Sequence, residues 1–285
     1  MAYFKKNKGF KIVTRILFFL IIFVIIIAVV PQLRVMTVVK FNKQLHEYHS
    51  VQREQGVQIN IPTGRITREK DWFPIMNVFH DEKGFSNKIK RDVELTILYN
   101  YGDFDSLFGT SLYYDSDSPY YGGYYGAYIL KDNSNHNSFY GFDEKGNVIP
   151  EEFAQIPEYD QKYLALASIG SDWHKRVFKI EAGEIMEDVN YAGYENWVRV
   201  DSSIYTNGPA HKRKKFQLGY LQYGNPLLNK EEEEDFKPAN FHGRMYIRAF
   251  EKSRVTICLY IMAIDEGVLE DCDEKFLAKT IIKEK

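Results

Sequence analysis

The residues from Tyr113 to Tyr128 (YYDSDSPYYGGYYGAY) concentrate seven tyrosines: Tyr113, Tyr114, Tyr120, Tyr121, Tyr124, Tyr125 and Tyr128. A tyrosine ring joins an apolar face to a polar hydroxyl, the combination that stacks on sugar rings or packs at protein interfaces. The interleaved Gly122, Gly123 and Gly126 lack the Cβ that would hold a ligand away from the backbone. The segment is therefore a candidate aromatic binding surface. Its competing reading is a turn entering an aromatic-rich strand whose rings pack on their own sheet. Carboxylates gather at Asp103, Asp105, Asp115 and Asp117, and two Asp-x-Asp pairs could offer oxygens to calcium. Neither pair continues into the glycine and distal glutamate of an EF-hand loop. Asp and Ser ahead of Pro119 are ordinary turn residues, so the turn is preferred and no metal or other cofactor is expected.

Catalytic motifs are missing. The chain has no Gly-x-Ser-x-Gly, His-Glu-x-x-His, phosphate-binding glycine loop or Cys-x-x-Cys. His80, His136, His174, His211 and His242 are scattered, and Ser171-Asp172-Trp173-His174 has suggestive letters without a known geometry. No catalytic residue is assigned, although a triad assembled in space leaves no local motif. Cys258 and Cys272 allow one disulfide, which would close a short strand-to-helix loop; two buried free thiols are the preferred alternative. A basic run, His211-Lys212-Arg213-Lys214-Lys215, and an acidic run, Glu231 to Asp235, read as solvated loops.

The elements that must position these residues begin with an uneven charge distribution. The 285 residues sum to a formal charge of -2, yet the first fifteen carry Lys5, Lys6, Lys8, Lys11 and Arg15 with no acid, leaving -7 for the remainder. Nucleic acid is not an expected partner for so acidic a remainder. Ile16 to Val30 follow without one polar side chain. Extended from Ile12 to Leu33, the apolar stretch would reach about 33 Å as a helix, against a hydrocarbon core of about 30 Å. With the basic tail ahead of it, the pattern predicts a cytoplasmic tail at 1–11, an uncleaved transmembrane anchor at 12–33 and an exported C-terminal part. Mean hydropathy of -0.39 excludes a chain that crosses repeatedly, and 45% hydrophobic with 27% charged residues excludes disorder.

Helical spacing of Phe41, Leu45 and Tyr48 predicts a stalk over 34–56 that ends at Gly56, followed by one globular domain over 57–285. Alternating Val57, Ile59 and Ile61 reads as its first strand. Further strands are expected at 93–99, 124–130, 139–142, 163–168, 177–180, 197–200, 216–223, 245–250 and 255–264. The last is apolar on both alternating faces, as a central strand covered on both sides would be. Leu269, Cys272, Phe276 and Thr280, with Leu277 and Ile281 beside them, mark one face of a terminal helix whose acids come early and lysines late. Asp-Glu-Lys-Gly at 81–84 and again at 143–146 reads as two tight turns.

The expected fold class is α+β: an N-terminal transmembrane helix and stalk, then a largely antiparallel sheet with a C-terminal covering helix; a β-sandwich is the alternative. The expected function is a non-enzymatic binding or scaffold module at the cell envelope, single-pass and anchored in the cell membrane. The alternative is a membrane-tethered envelope hydrolase. The partners are then the lipid bilayer and either an envelope protein or a cell-surface carbohydrate.

Overall fold

A computed structural model describes residues 3–29, 31–65, 71–103, 111–134, 139–165, 177–209 and 237–285. Helix α1 runs Tyr3–Val29 and α2 runs Pro31–Tyr48. The expected transmembrane anchor is overturned: among the described residues, no helix is long and apolar enough to cross a membrane. The single-pass signal-anchor and the cell-membrane location rested on that span and fall with it. Nor does α2 stand clear as a stalk, because Val39 is fully buried in the core and His46 packs on Phe79.

The body is a seven-stranded antiparallel sheet in the order β2-β3-β4-β8-β7-β6-β5, with a separate antiparallel pair β1-β9. The strands are β1 Val57–Asn60, β2 Asn77–Asp81, β3 Val93–Tyr101, β4 Tyr124–Asp132, β5 Phe178–Tyr191, β6 Tyr194–Thr206, β7 Ala239–Phe250, β8 Val255–Ala263 and β9 Ile281–Glu284. β8 takes the fourth place, and all nine of its residues are buried. Its apolar residues on both faces require cover on both faces, as the pattern predicted.

On one face Cys258, Tyr260 and Met262 join Leu95, Ile97, Tyr99, Tyr124 and Tyr128 in a core cluster. That face is covered by α4 (Gly84–Ile89) through Phe85 and by α5 (Pro150–Glu158) through Phe153 and Ile156. Asp81 starts α4 by accepting from the amides of Gly84 and Phe85, so the first Asp-Glu-Lys-Gly is a helix cap rather than a free turn. The second is a turn: Asp143 accepts from the amides of Lys145 and Asn147, and Gly146 has φ +85. Pro150 opens α5, where a missing amide costs nothing. Pro157 removes an amide near its end, and Tyr159–Ala165 winds on as a π-helix where a strand at 163–168 was expected. The expected strand at 139–142 reduces to a single bridge between Phe142 and Val148. The expected strand at 216–223 lies outside the described residues.

The opposite face buries Ile257, Leu259, Ile261, Leu98, Tyr125 and Ile129 beneath the short helix α3 (Val51–Glu54), the β1-β9 pair and α6 (Glu266–Lys275). Asp265 caps α6 by accepting from Val268 N–H at 2.9 Å. The terminal helix ends earlier than its charge pattern suggested. After a 3₁₀ turn at Leu277–Lys279 the chain extends as β9, in register with β1 (Ile59↔Ile282).

Arg244 fixes α6 to the sheet. Only 7% exposed, its guanidinium donates to Asp201 at 2.8 Å, Glu270 at 2.8 Å and Asp273 at 2.7 Å. Asp273 also accepts from Tyr246 at 2.7 Å and from the Tyr191 hydroxyl. Arg199 shares Asp201, whose carboxyl is held below the ordinary aspartate value by the two guanidiniums despite burial. Removing Arg244 would leave buried Asp273 without its guanidinium partner, while Asp201 and Glu270 keep part of their hydration. The Arg244→Met variant should lose about 3 kcal/mol of stability, read as a lower urea midpoint at unchanged slope.

Candidate functional site

The aromatic surface anticipated at 113–128 is mostly interior. Tyr113, Tyr124, Tyr125 and Tyr128 are at most 1% exposed, while Tyr120 and Tyr121 are half-buried; the Tyr114 side chain lies outside the described residues. Their hydroxyls bond inward: Tyr125 to the Pro62 carbonyl at 2.8 Å and Tyr128 to buried Asp160 at 3.0 Å. Burial pushes the Tyr124 and Tyr125 phenols well above their ordinary value. The glycines do permit close approach, but to the protein itself. A Cβ on Gly122 would stand 2.4 Å from the Phe241 ring, and one on Gly126 would stand 1.8 Å from the Leu98 carbonyl oxygen. Gly126 sits opposite Tyr260. The Tyr260 ring stacks on Tyr128 at 4.1 Å and its hydroxyl donates to the Leu98 carbonyl on β3 at 3.1 Å.

The carboxylates do not converge either. Asp103 is buried, Asp115 is half-buried and accepts from Asp117 N–H, Asp117 is exposed, and Asp105 lies outside the described residues. Among the described residues no group of three or more histidines, cysteines or acids could hold a metal ion. Cys258 and Cys272 are buried free thiols. They belong to the core clusters of opposite sheet faces, so the disulfide is corrected: the sheet itself lies between them. His136, His174, the 171–174 segment and both charge runs at 211–215 and 231–235 lie outside the described residues.

What the sequence did not signal is the contrast between the two outer strands of the sheet. The β2 edge is occupied by α2, where the His80 amide donates to His46 Nδ1 at 3.2 Å. The β5 edge has no partner among the described residues. Its first part, Phe178 to Ala182, pairs regularly with β6, from Phe178↔Thr206 to Ala182↔Ser202. Register shifts then follow between Ala182 and Ile185 and between Met186 and Val189, with Asp188 at φ +55. Bulges of this kind turn an edge away from incoming strands. The regular part is therefore the accessible template.

Beside that part lies an apolar cavity of about 40 Å³. Ile180 and Ala182 of β5, Val200 of β6, Met245 of β7, and Pro150 and Ala154 of α5 line it. β5 carries exposed Glu181, Glu184, Glu187 and Asp188 against Lys179, and Ile185 on the same strand is 45% exposed. The edge thus combines backbone groups unpaired among the described residues, an apolar hollow and negative charge.

At the other end of the sheet a polar cleft of about 740 Å³ opens among Tyr48, His49, Arg53, His80, Glu82 and Glu94. Arg53 lies over the Tyr48 ring at 4.6 Å, and Glu94 accepts from Asn133 at 2.7 Å. Its charges are largely matched internally, since Lys131 reaches Glu54 at 3.1 Å and Glu94 at 3.6 Å.

No family model, curated protein or solved structure matches this chain. The candidate site therefore stands on geometry alone, and the β5 edge with its cavity is the stronger of the two surfaces. Two observations were available in principle from the sequence: the Tyr-Ala-Gly-Tyr turn after 178–191, and the alternation of Ile180 and Ala182 with Lys179 and Glu181. Neither reveals which outer strand stays bare.

The thiols give a direct check on the interior. Burial holds both well above the ordinary cysteine value, so the folded protein should resist alkylation at pH 8. In denaturant without reductant, two thiols per chain should react, counted by intact mass.

Proposed function

We propose that this protein is a non-enzymatic binding module that takes an extended peptide segment of a partner protein by strand addition along β5. At the level of fold we read it as α+β, because helices cover both faces of the main sheet and the second sheet has only two strands. The observation that carries the functional reading is the juxtaposition of the regular 178–182 edge, unpaired among the described residues, with the apolar cavity lined by Ile180, Ala182, Val200 and Met245. Strand addition draws affinity from backbone hydrogen bonds and selectivity from pockets that accept alternate side chains.

Charge decides the occupant. Glu181 lies on the sheet face opposite the cavity, with Glu184, Glu187 and Asp188 farther along the strand. A second β5 brought alongside would oppose acids to acids, an arrangement that costs rather than stabilises. A segment alternating apolar with basic residues meets both faces, one side chain against the apolar lining of Ile180 and Ala182 and the next near Glu181. A carbohydrate partner has less support, since four of the seven tyrosines that would have stacked on sugar are interior.

The test is a synthetic peptide of about eight residues alternating Val and Lys, titrated against the isotope-labelled full chain. Amide shift changes should concentrate at 178–182, with side-chain changes at Val200 and Met245. Ala182→Trp, which fills the hollow, and Glu181→Lys should each weaken binding about tenfold, or about 1.4 kcal/mol. Shifts that spare 178–182, or an affinity indifferent to both variants, would sink the proposal. Concentration-dependent dimerisation of the unmodified chain, abolished by Ala182→Trp, would assign the edge to a second copy instead.

A further inference from the structure

The edge opposite β5 is held by two neighbouring histidines, and the hydrogen bond made by His46 requires an unprotonated Nδ1. The fully buried Thr96 hydroxyl accepts from Val51 N–H at 2.9 Å and lies 3.1 Å from His80 Nδ1. That contact suits either state of Nδ1, because the hydroxyl has both a proton to give and a second lone pair with which to accept. The backbone N–H of His80 in turn donates to His46 Nδ1 at 3.2 Å, so that nitrogen must carry a lone pair. His46 stands in the last turn of α2 and packs on Phe79 of β2 at 5.0 Å between ring centres. Thr96, His80 and His46 thus form a chain from β3 through β2 to α2.

We propose that His46 and His80 are a pH-sensitive latch that holds α2 on the β2 edge while both rings are neutral and releases it in acid. Protonating His46 at Nδ1 turns the acceptor that the described residues offer to the His80 amide into a donor facing a donor. Protonating His80 sets a cation beside His46 in the same half-buried contact. Both rings are held below the ordinary histidine value, each chiefly by burial, and His46 further by the nearness of His80.

The neighbouring charges pull in both directions. Around His80, Glu94 of β3, then Glu82 just after β2 and Asp81 at its end, favour the imidazolium, whereas His49 disfavours it. Glu94 is already engaged by Asn133 and Lys131, which blunts its pull. Around His46, the rings of His80 and His49 disfavour a second cation, whereas a hydrogen bond with the His80 backbone favours the charged ring without outweighing burial. Arg53 and Glu54 from α3, with Lys83 and Asp92, complete the charged lining of the adjoining cleft.

Because docking lowers the proton affinity of both rings, the released state binds more protons. Docking is at full strength above about pH 6.5, the free histidine value. Below it, docking weakens by up to about tenfold per ring for each pH unit, until the docked values themselves are passed. The consequence is a switch at a sheet edge: freeing α2 bares the outer amides of β2, including that of His80.

Hydrogen exchange by mass spectrometry on the full chain, corrected for intrinsic rates, tests this between pH 7.5 and 5.5. Protection at 39–48 and 77–81 should fall, by up to about tenfold per ring, while β7 and β8 hold theirs. In the His46→Asn, His80→Asn double variant each side-chain carbonyl takes over the role of Nδ1 as an acceptor that cannot be protonated, and protection should stay flat with pH. Flat protection in the unmodified chain, or equal loss in the double variant, overturns the latch. Should the variant not fold, the ring titrations of His46 and His80 by NMR decide: values at or above 6.5 refute it, and lowered values coincident with the loss of protection support it.

Discussion

The strand Val255–Ala263 has no side that tolerates water, and the rest of the architecture answers that demand. A strand apolar on alternate faces must lie inside a sheet, and the sheet must be covered above and below. The chain meets the first condition by setting three strands on each side of β8. It meets the second with unlike materials: α4, α5 and the π-helical turn on one face, and α3, α6 and the small β1-β9 sheet on the other. Even the chain ends obey it, since β9 returns to pair with β1 and closes the cover close to where the domain's first strand begins.

The parts of this fold that were legible in the sequence are those whose cause is local. β8 announced itself by its double-faced hydrophobicity, and β3 and β4 by dense β-branched and aromatic residues. The Asp143 turn carried its own side-chain hydrogen bonds. What could not be read had distant causes. Residues 181–191 look like a polar loop because three glutamates, an aspartate and a glycine interrupt the apolar letters, yet they form a strand because β6 supplies a full hydrogen-bonding partner. Residues 276–281 continue a helical charge pattern, but β1 offers Ile281 and Ile282 a strand to pair with and tertiary pairing wins.

The tyrosine-rich segment is the instructive misreading at the level of the site. Tyrosine's dual character suits it to a ligand surface, and the same character suits it to an interior with backbone carbonyls and a carboxylate to satisfy. Only the neighbours decide, and here Pro62, Leu98 and Asp160 are supplied by segments far away in the chain. The bare edge was invisible for a complementary reason: which of two outer strands receives a covering helix is a property of topology, not of either strand's own letters.

The Tyr260 side chain, crossing over Gly126 to bond the Leu98 carbonyl, ties β8 to β3 across the strand between them. This makes the pairing self-checking. If β4 slid by one residue, its buried and outward faces would exchange. If it slid by two, Tyr124 or Tyr128 would arrive where only a hydrogen atom fits, and the ring of Tyr260 would be expelled. A single residue without a side chain, set between two large ones, therefore serves as the alignment mark of three strands at once.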